Sequence, residues 1–315
     1  MEMNVKNPLI SIIIPTYNQA VYIERTIQSV LMQDYNNFEI IIADDCSNDN
    51  TSQICYFYKK VDDRIKYFRN DQNLGRVKNY HKALYDYSNG DYVIYLDGDD
   101  YFVSSEFISL FVEILNKEKR NHPSIIMGCQ RIDSPKGSRI VKHKISSEYV
   151  LLSGMSYVLG YKKYYQFSHL ATLYDRKKAI EKDFYSLNII SSDIDSIFRL
   201  AIEGNVIVTN VVVGVWNYTG VNESAEFNYQ KSIDNLIWIS RVKNQLKSKR
   251  HKQYALWEIR MKYFLATSII KSIVKKKKIT LKEIYGLFKE RIFFILILKL
   301  LEALLKKLKS REKKA

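Results

Sequence analysis

The segment Tyr92-Val93-Ile94-Tyr95-Leu96-Asp97-Gly98-Asp99-Asp100 constrains the fold of this chain more than any other. Five uncharged residues suited to a pleated, buried surface run directly into three carboxylates within four positions. In an open α/β sheet, ligands sit outside the carboxyl ends of the strands, where these aspartates would emerge. Carboxylates this close repel one another unless a cation or a network of donors compensates, and hard divalent cations such as Mg²⁺ prefer oxygen ligands of this kind. A plain turn is the other reading, because Asp and Gly are common turn formers and Asp99 or Asp100 would also cap a helix.

The preceding residues supply a sheet for such a strand to join. Leu9 to Ile14 is a short apolar run ended by Pro15, which predicts a buried parallel strand. Ala20 to Gln33 has helical spacing through Ile23, Ile27, Val30 and Leu31. Phe38 to Ala43 is a second buried strand ending in Asp44-Asp45-Cys46-Ser47-Asn48-Asp49, and a helix over about 51–58 opens in that polar cluster. Ile65 to Arg69 predicts a third strand and Lys78 to Tyr87 a helix, with Asn89-Gly90 breaking the chain before the central strand. Strand and helix alternating over a hundred residues predict a doubly wound α/β sheet, Rossmann-like, mixed and mostly parallel. Further on, the patterns predict a helix over 105–119, a strand over 124–129, a loop or hairpin over 133–149, a helix over 151–165 and a strand over 170–174. A helix follows Ser191-Ser192-Asp193-Ile194-Asp195, then a β-branched strand over 206–216 and a flap over 217–228.

The net charge of +15 has to be divided before it is informative. From Arg241 to Ala315 there are 23 Lys and Arg against 5 Glu and no Asp, a net +18, so the first 240 residues carry −3. A near-neutral body with one basic end argues against a nucleic-acid binder and for one polyanionic surface met by that end. Cys46, Cys55 and Cys129 have neither metal-ligand spacing nor an even-numbered framework, which predicts reduced thiols in a cytoplasmic setting. Met1-Glu2-Met3-Asn4 lacks the basic and apolar regions of a secretory leader. The expected organisation is a catalytic domain over 1–230, divided at about residue 100, and a basic helical extension over 231–315.

Four pieces, in order, resemble the family-2 glycosyltransferases, inverting enzymes with the A-type nucleotide-sugar fold. They are Ile10-Ser11-Ile12-Ile13-Ile14-Pro15-Thr16-Tyr17-Asn18, Ile41-Ile42-Ala43-Asp44-Asp45-Cys46-Ser47-Asn48-Asp49, Asn73-Leu74-Gly75-Arg76 and Leu96-Asp97-Gly98-Asp99-Asp100. Ser192-Asp193 stands where that family carries a Glu-Asp or similar pair, while His81 stands where many members carry Asn. The resemblance implies a nucleotide-sugar donor, a UDP-sugar by preference, whose uracil-like base Asp45 would read in a pocket walled by Pro15 and Tyr17. It implies that Asp97 reaches the ribose or a metal-bound water, and that Asp99, with Asp97, holds Mg²⁺ or Mn²⁺ on the diphosphate. Asp193 would be the general base on the acceptor hydroxyl, with Asp195 the alternative, and Arg76 and Lys78 would meet phosphate or only solvent. A single in-line displacement inverts the anomeric carbon, and it requires no nucleophilic carboxylate. The resemblance further implies a lipid-linked or polysaccharide acceptor in bacterial surface-glycan synthesis.

The basic end combines Lys275 to Lys278 with an apolar stripe of Phe294, Ile297, Leu301, Leu304, Leu305 and Leu308. No uncharged apolar stretch approaches the ~18 residues needed to cross a bilayer. The pattern predicts a basic amphipathic helix in an anionic membrane interface, placing the protein peripherally on the inner face of the cell membrane. Packing on its own domain or on a second subunit, as a homo-oligomer, is the alternative. Two rivals to the enzymatic reading remain at the level of sequence. A nucleotidyltransferase would carry a glycine-rich phosphate loop after the first strand, where Pro15-Thr16-Tyr17-Asn18-Gln19 has no glycine. A catalytically silent membrane-binding scaffold would have no need of Asp45, Asp97, Asp99 and Asp193.

Overall fold

The structure is a computed structural model that describes residues 7–220, 229–249, 252–276, 280–299 and 301. It divides into two compact units, Met1–Asn188 with Ser192–Gly220, and Ile189–Ser191 with Val221–Ala315.

The first unit is built on a ten-stranded sheet. Its opening half is parallel: β1 (Ile10–Thr16) lies between β2 (Phe38–Asp44) and β4 (Tyr92–Tyr95), with β3 (Ile65–Arg69) outside β2. Every residue of β1, β2 and β4 is buried, which is why these strands read as continuous apolar runs rather than alternating ones. Pro15 sits inside β1 without loss, because the ladder to β4 ends at the Ile13–Tyr95 pair and the missing N–H falls beyond it. Helices α1 (Ile23–Leu31), α2 (Thr51–Val61) and α3 (Arg76–Lys82) make the crossovers, and α3 runs on into a π-helical turn over Ala83–Tyr87. Beyond the short β5 (Tyr101–Phe102) and α4 (Phe107–Lys117), the sheet becomes mixed. The strand β6 (Pro123–Ser134) turns back as β7 (Gly137–Val141), the hairpin reading of that stretch. The strand β9 (Thr172–Asp175) runs antiparallel between β4 and β6, and β10 (Asn205–Asn217) is parallel to β6.

One expected helix is shorter than predicted and is preceded by a strand. In place of a helix over 151–165, Tyr149–Ser153 forms β8 against β10, from Thr209–Tyr149 to Asn205–Ser153, and only Gly154–Gly160 is helical (α5). The run Val150-Leu151-Leu152 suits either state, and the β-branched surface of β10 beside it decides. The short α6 (Arg176–Glu181) and then α7 (Ser192–Ile202) complete this unit. Of the expected flap, residues 221–228 lie outside the described residues.

The second unit is helical. Trp238, Ile239, Val242 and Leu246 on α9 (Ile237–Ser248) are buried, as are Trp257, Met261, Ala266 and Ile269 on α10 (Tyr254–Lys276), and the two indoles meet edge to face at 6.0 Å. The short α8 (Tyr229–Asp234) is tied to α11 (Leu281–Lys289) by the Tyr229 hydroxyl, which donates to Glu283 O at 2.7 Å. A Thr280–Glu283 capping box starts α11. Among the described residues no helix is long and apolar enough to cross a membrane. The expected amphipathic stripe is described only at Phe294, Ile297 and Leu301, and Leu304, Leu305 and Leu308 lie outside the described residues.

Candidate active site

The turn after β4 is fixed from several directions. Gly98 N donates to Pro15 O at 3.2 Å, and Asp100 N closes the turn on Asp97 O at 2.9 Å. The hydroxyl of the fully buried Thr26 on α1 lies 2.9 Å from Gly98 O and 2.6 Å from Asp100 O. Asn217 N, at the end of β10, donates to Asp100 Oδ1 at 2.8 Å. A side chain at position 98 would meet the side-chain oxygens of Gln19 and Thr16, at 2.3 and 2.9 Å from its Cβ, and would have to displace the Gln19 amide. Asp99 and Asp100 are buried and Asp97 is half-buried. Burial, and then the charge of Asp97, pushes the Asp99 carboxyl up to about 7 and the Asp100 carboxyl well above the usual carboxylate range. Both shifts favour the protonated carboxyls in the protein alone, so three ionised carboxylates here would need added positive charge. The guanidinium of Arg25, which donates to Asp99 O at 3.4 Å and lies 3.9 Å over the Tyr101 ring, offsets this in part.

The second strand end is an interlocked loop. Asp44, fully buried, accepts from Ser47 N, Ser47 Oγ and Tyr67 Oη at 2.6–2.9 Å, which makes it a turn residue. Asp45 Oδ1 accepts from Asn70 Nδ2 at 3.0 Å and Leu74 N at 2.8 Å, and Oδ2 accepts from Gly75 N at 2.8 Å. Gly75, at φ +82°, adopts the left-handed backbone that aims its N–H this way and opens α3. A carboxylate has about four acceptor sites. Three are filled, so one remains on Oδ2. Asn70 Nδ2 also lies 2.9 Å from Asn79 Oδ1, and Asn79 Nδ2 donates to Ala43 O at 2.8 Å, tying the loop to β2. Pro15 is buried, and Tyr17 just beyond it is exposed. The loop carrying Tyr17 is laced to the loop after β2 by Asn18 N to Ser47 Oγ, Gln19 N to Thr51 Oγ1 and Ala20 N to Asp49 Oδ2.

The third part is aromatic. Tyr80 on α3 donates its hydroxyl to Asp97 Oδ1 and stacks on Tyr95 and His169 at 5.1 and 5.6 Å. His169 Nε2 is 2.8 Å from the Tyr185 hydroxyl, and burial pushes the imidazole down to about 4, so the ring is neutral. Tyr185 holds φ +57°, a costly conformation for a large side chain, with its N–H donating to Ser196 Oγ on α7 at 2.9 Å. Arg76 lies 5.5 Å over the Tyr80 ring and acts electrostatically on His169 and on Asp193. Burial raises the Asp193 carboxyl above the usual range against the opposing pull of Arg76, and its Oδ1 accepts from Ile194 N at 2.8 Å. Asp195, two residues on, is differently placed: it is 1% exposed and pairs with Arg199 Nε at 3.0 Å. Lys78 is exposed.

The sequence profile of glycosyl transferase family 2 matches residues 11–181, more than half of the chain. The chain belongs to that family. A stretch of 93 residues is 45% identical to the glycosyltransferase TuaG of Bacillus subtilis, named for teichuronic acid biosynthesis, and covers 30% of this chain and 36% of that protein. A stretch of 104 residues is 40% identical to a Campylobacter jejuni protein named GalNAc(5)-diNAcBac-PP-undecaprenol beta-1,3-glucosyltransferase, covering 33% of each chain. The matches thus span about a third of the length of these relatives. In structure the chain is similar to TarS 1-349 of S. aureus, at TM-score 0.62 and 17% identity over 89% of this chain and 78% of that one. It is also similar to the mannosyltransferase PcManGT of Pyrobaculum calidifontis, solved with GDP-Man and Mn²⁺, at TM-score 0.59 and 14% identity over 96% and 87%. At these identities the likeness shows the fold, which is the glycosyltransferase A-type sheet expected from the sequence motifs.

Within this family member the structure gathers Pro15, Asp45, Arg76, Asp97 and Asp99 at the carboxyl ends of β1, β2 and β4 and the start of α3. Asp193 reaches them from beyond the matched segment, through Arg76 and Tyr80. Tyr80, Thr26, Asn70 and His169 were not singled out from sequence. Tyr80 had one usable signal: its neighbour His81 already departs from the family pattern.

Proposed function

We propose that the protein is an inverting glycosyltransferase that moves a sugar from a nucleotide-sugar donor, a UDP-sugar by preference, to a hydroxyl acceptor. The observation that carries this reading is the carboxylate turn Asp97-Gly98-Asp99-Asp100, gathered with the loop that holds Asp45 at neighbouring strand ends and linked to Asp193 through Arg76 and Tyr80. Asp45 would accept the N–H of the base on its remaining acceptor site, with Tyr17 and Pro15 forming the wall. Arg76 would lie against the diphosphate, while the exposed Lys78 has less to support such a role.

The turn fits a divalent cation, Mg²⁺ or Mn²⁺. Among the described residues no three His, Cys, Asp or Glu side chains close on one point. Mg²⁺, however, is commonly held by one or two carboxylates plus substrate phosphates. Asp97 and Asp99 would hold it, Tyr80 keeping Asp97 in place and Asp100 bracing the turn through Asn217. Bound there, such an ion supplies Lewis-acid stabilisation of the leaving diphosphate. Asp193 would take the acceptor proton as the hydroxyl attacks the anomeric carbon from the face opposite the diphosphate, inverting it. Burial raises its pKa and Arg76 opposes the rise, and an upward shift is the direction that suits a carboxylate base working near neutral pH. Asp195 is the weaker candidate because its charge is already spent on Arg199.

The names of the Bacillus and Campylobacter relatives support a cell-surface polysaccharide or a lipid-linked acceptor. Titration of the full chain with uridine diphosphate, with and without Mn²⁺, tests the reading. Binding should require the metal, and Asp99→Asn should remain folded while losing metal-dependent binding and nearly all donor turnover. Wild-type turnover in that variant would remove Asp99 from the metal site.

A further inference from the structure

The second unit presents an apolar face that none of its described elements covers. On α11, Leu281, Tyr285 and Phe288 are 85%, 70% and 47% exposed and follow at intervals of four and three, so they form one stripe. The next helical segment, over 293–299, repeats the arrangement: Phe294, Leu298 and Leu301 are 71%, 61% and 51% exposed, again at intervals of four and three. The stripes are joined, since the Phe288 ring meets those of Phe293 and Phe294 at 4.1 and 6.5 Å. The opposite sides are satisfied inside the unit, where Leu287, Ile292, Ile295 and Leu296 are buried. Six large apolar side chains outward on one joined surface are more than the scattered exposure ordinary for a protein surface.

Charge selects what covers this face. Lys289 and Arg291, both exposed, sit between the two stripes, while Glu283 is held in the capping box with Thr280. From Lys271 to Ala315 the chain has 15 Lys and Arg against 4 Glu and no Asp, a net +11. A second copy would set that charge against its own like. An anionic lipid surface would be attracted by it and would also receive the apolar side chains, and each basic residue near such a leaflet contributes about 1 kcal/mol. We propose that the face formed by α11, residues 293–299 and Leu301 docks in the headgroup region of an anionic bilayer, both helical segments lying along the surface. This rests on the second unit alone and is independent of the glycosyl-transfer reading.

The test is co-sedimentation of the full chain with phosphatidylcholine vesicles, with and without phosphatidylglycerol, at low and high salt. The wild type should pellet only with the anionic vesicles, and salt should weaken this without abolishing it, since buried apolar area is not screened. The variant Leu281→Ser/Tyr285→Ser/Phe294→Ser/Leu298→Ser changes only exposed positions. It should lose the salt-resistant part, its partition coefficient falling at least roughly tenfold. Lys289→Glu/Arg291→Glu keeps the stripe and should lose mainly the low-salt attraction. Sedimentation velocity without vesicles should find the wild type and both variants in the same oligomeric state. A wild type that ignores anionic vesicles, or a serine variant that binds like it at high salt, would overturn the proposal. So would a self-associated wild type whose serine variant is monomeric, because the face would then be a subunit contact.

Discussion

Two aspartates two residues apart, Asp193 and Asp195, make opposite predictions when each is replaced by Asn. Asp195 is 1% exposed, and its partner Arg199 also donates to Lys182 O and Asp183 O at 2.5 and 2.8 Å, closing the loop before α7. Removing one member of a buried pair costs about 3–5 kcal/mol. Asn keeps the shape and one acceptor, and Arg199 keeps its two carbonyls, so the lower figure applies. At roughly 2 °C per kcal/mol for a chain of this size, Asp195→Asn should lower Tm by about 6 °C while turnover per folded molecule stays near normal. Asp193 has the reverse signature. Its folded pKa is raised by burial, so the protonated form favours folding, and that stability is lost as pH rises from the unfolded pKa through the folded one. Above this window Asn in its place is neutral or stabilising. Catalytically, loss of a positioned base costs a factor on the order of 10² to 10⁴ in kcat, about 2.7–5.4 kcal/mol. Donor turnover at saturating nucleotide sugar, uridine diphosphate affinity and thermal melts on both variants would separate the roles. If Asp195→Asn loses turnover at unchanged Tm, or Asp193→Asn loses nucleotide affinity but keeps its kcat, the assignment of the base is wrong.

Arg76 opposes the rise of the Asp193 pKa, so Arg76→Gln should move the acid limb of the kcat–pH profile to higher pH; an unmoved limb would mean that Asp193 does not govern it. Thr26→Val removes the buried hydroxyl beneath the turn, which should cost about 1–3 kcal/mol of stability and weaken nucleotide affinity, whereas an unchanged melt and affinity would show the turn to be self-supporting. Tyr80→Phe keeps the ring stack and deletes the donor to Asp97, which should lower stability by about 1.5–3 kcal/mol and weaken nucleotide affinity measured by calorimetry, while an unaltered Kd would show that Asp97 needs no such support.

The parallel half of the sheet was legible because its signal is local. Strands β1, β2 and β4 are buried on both faces, so their apolar runs leave no ambiguity, and each is followed directly by the polar residues that its carboxyl end must present. The start of the helix expected over 151–165 was not legible, since Val150 to Leu152 take their state from β10, more than fifty residues away, while Gly154–Gly160 is helical as expected. Carboxylate roles divide in the same way. Asp44 and Asp45 are adjacent and look alike in the sequence, yet one is closed by Ser47 and Tyr67, while the other keeps an acceptor site after Asn70, Leu74 and Gly75 are counted. Such bookkeeping needs partners that the chain brings in from 23 to 30 residues on.

The supports of the Asp97–Asp100 turn extend this argument to the whole first unit. Pro15 holds it from β1, Thr26 from α1, Tyr80 from α3 and Asn217 from β10, the last across 117 residues. Three carboxylates in one turn would push it apart in isolation, and in water nothing local would oppose them. A backbone carbonyl of Pro15, the backbone N–H of Asn217 and the hydroxyls of Thr26 and Tyr80, from four separate elements, hold the turn in one shape. Support from the β10 end has a particular consequence: Asn217 closes the strand that lies beside β6, so changes in the second half of the sheet reach Asp100 through one N–H. Replacing Asn217 by Pro, which lacks that donor, should therefore disturb nucleotide binding from a position that carries no charge and that sequence motifs never marked.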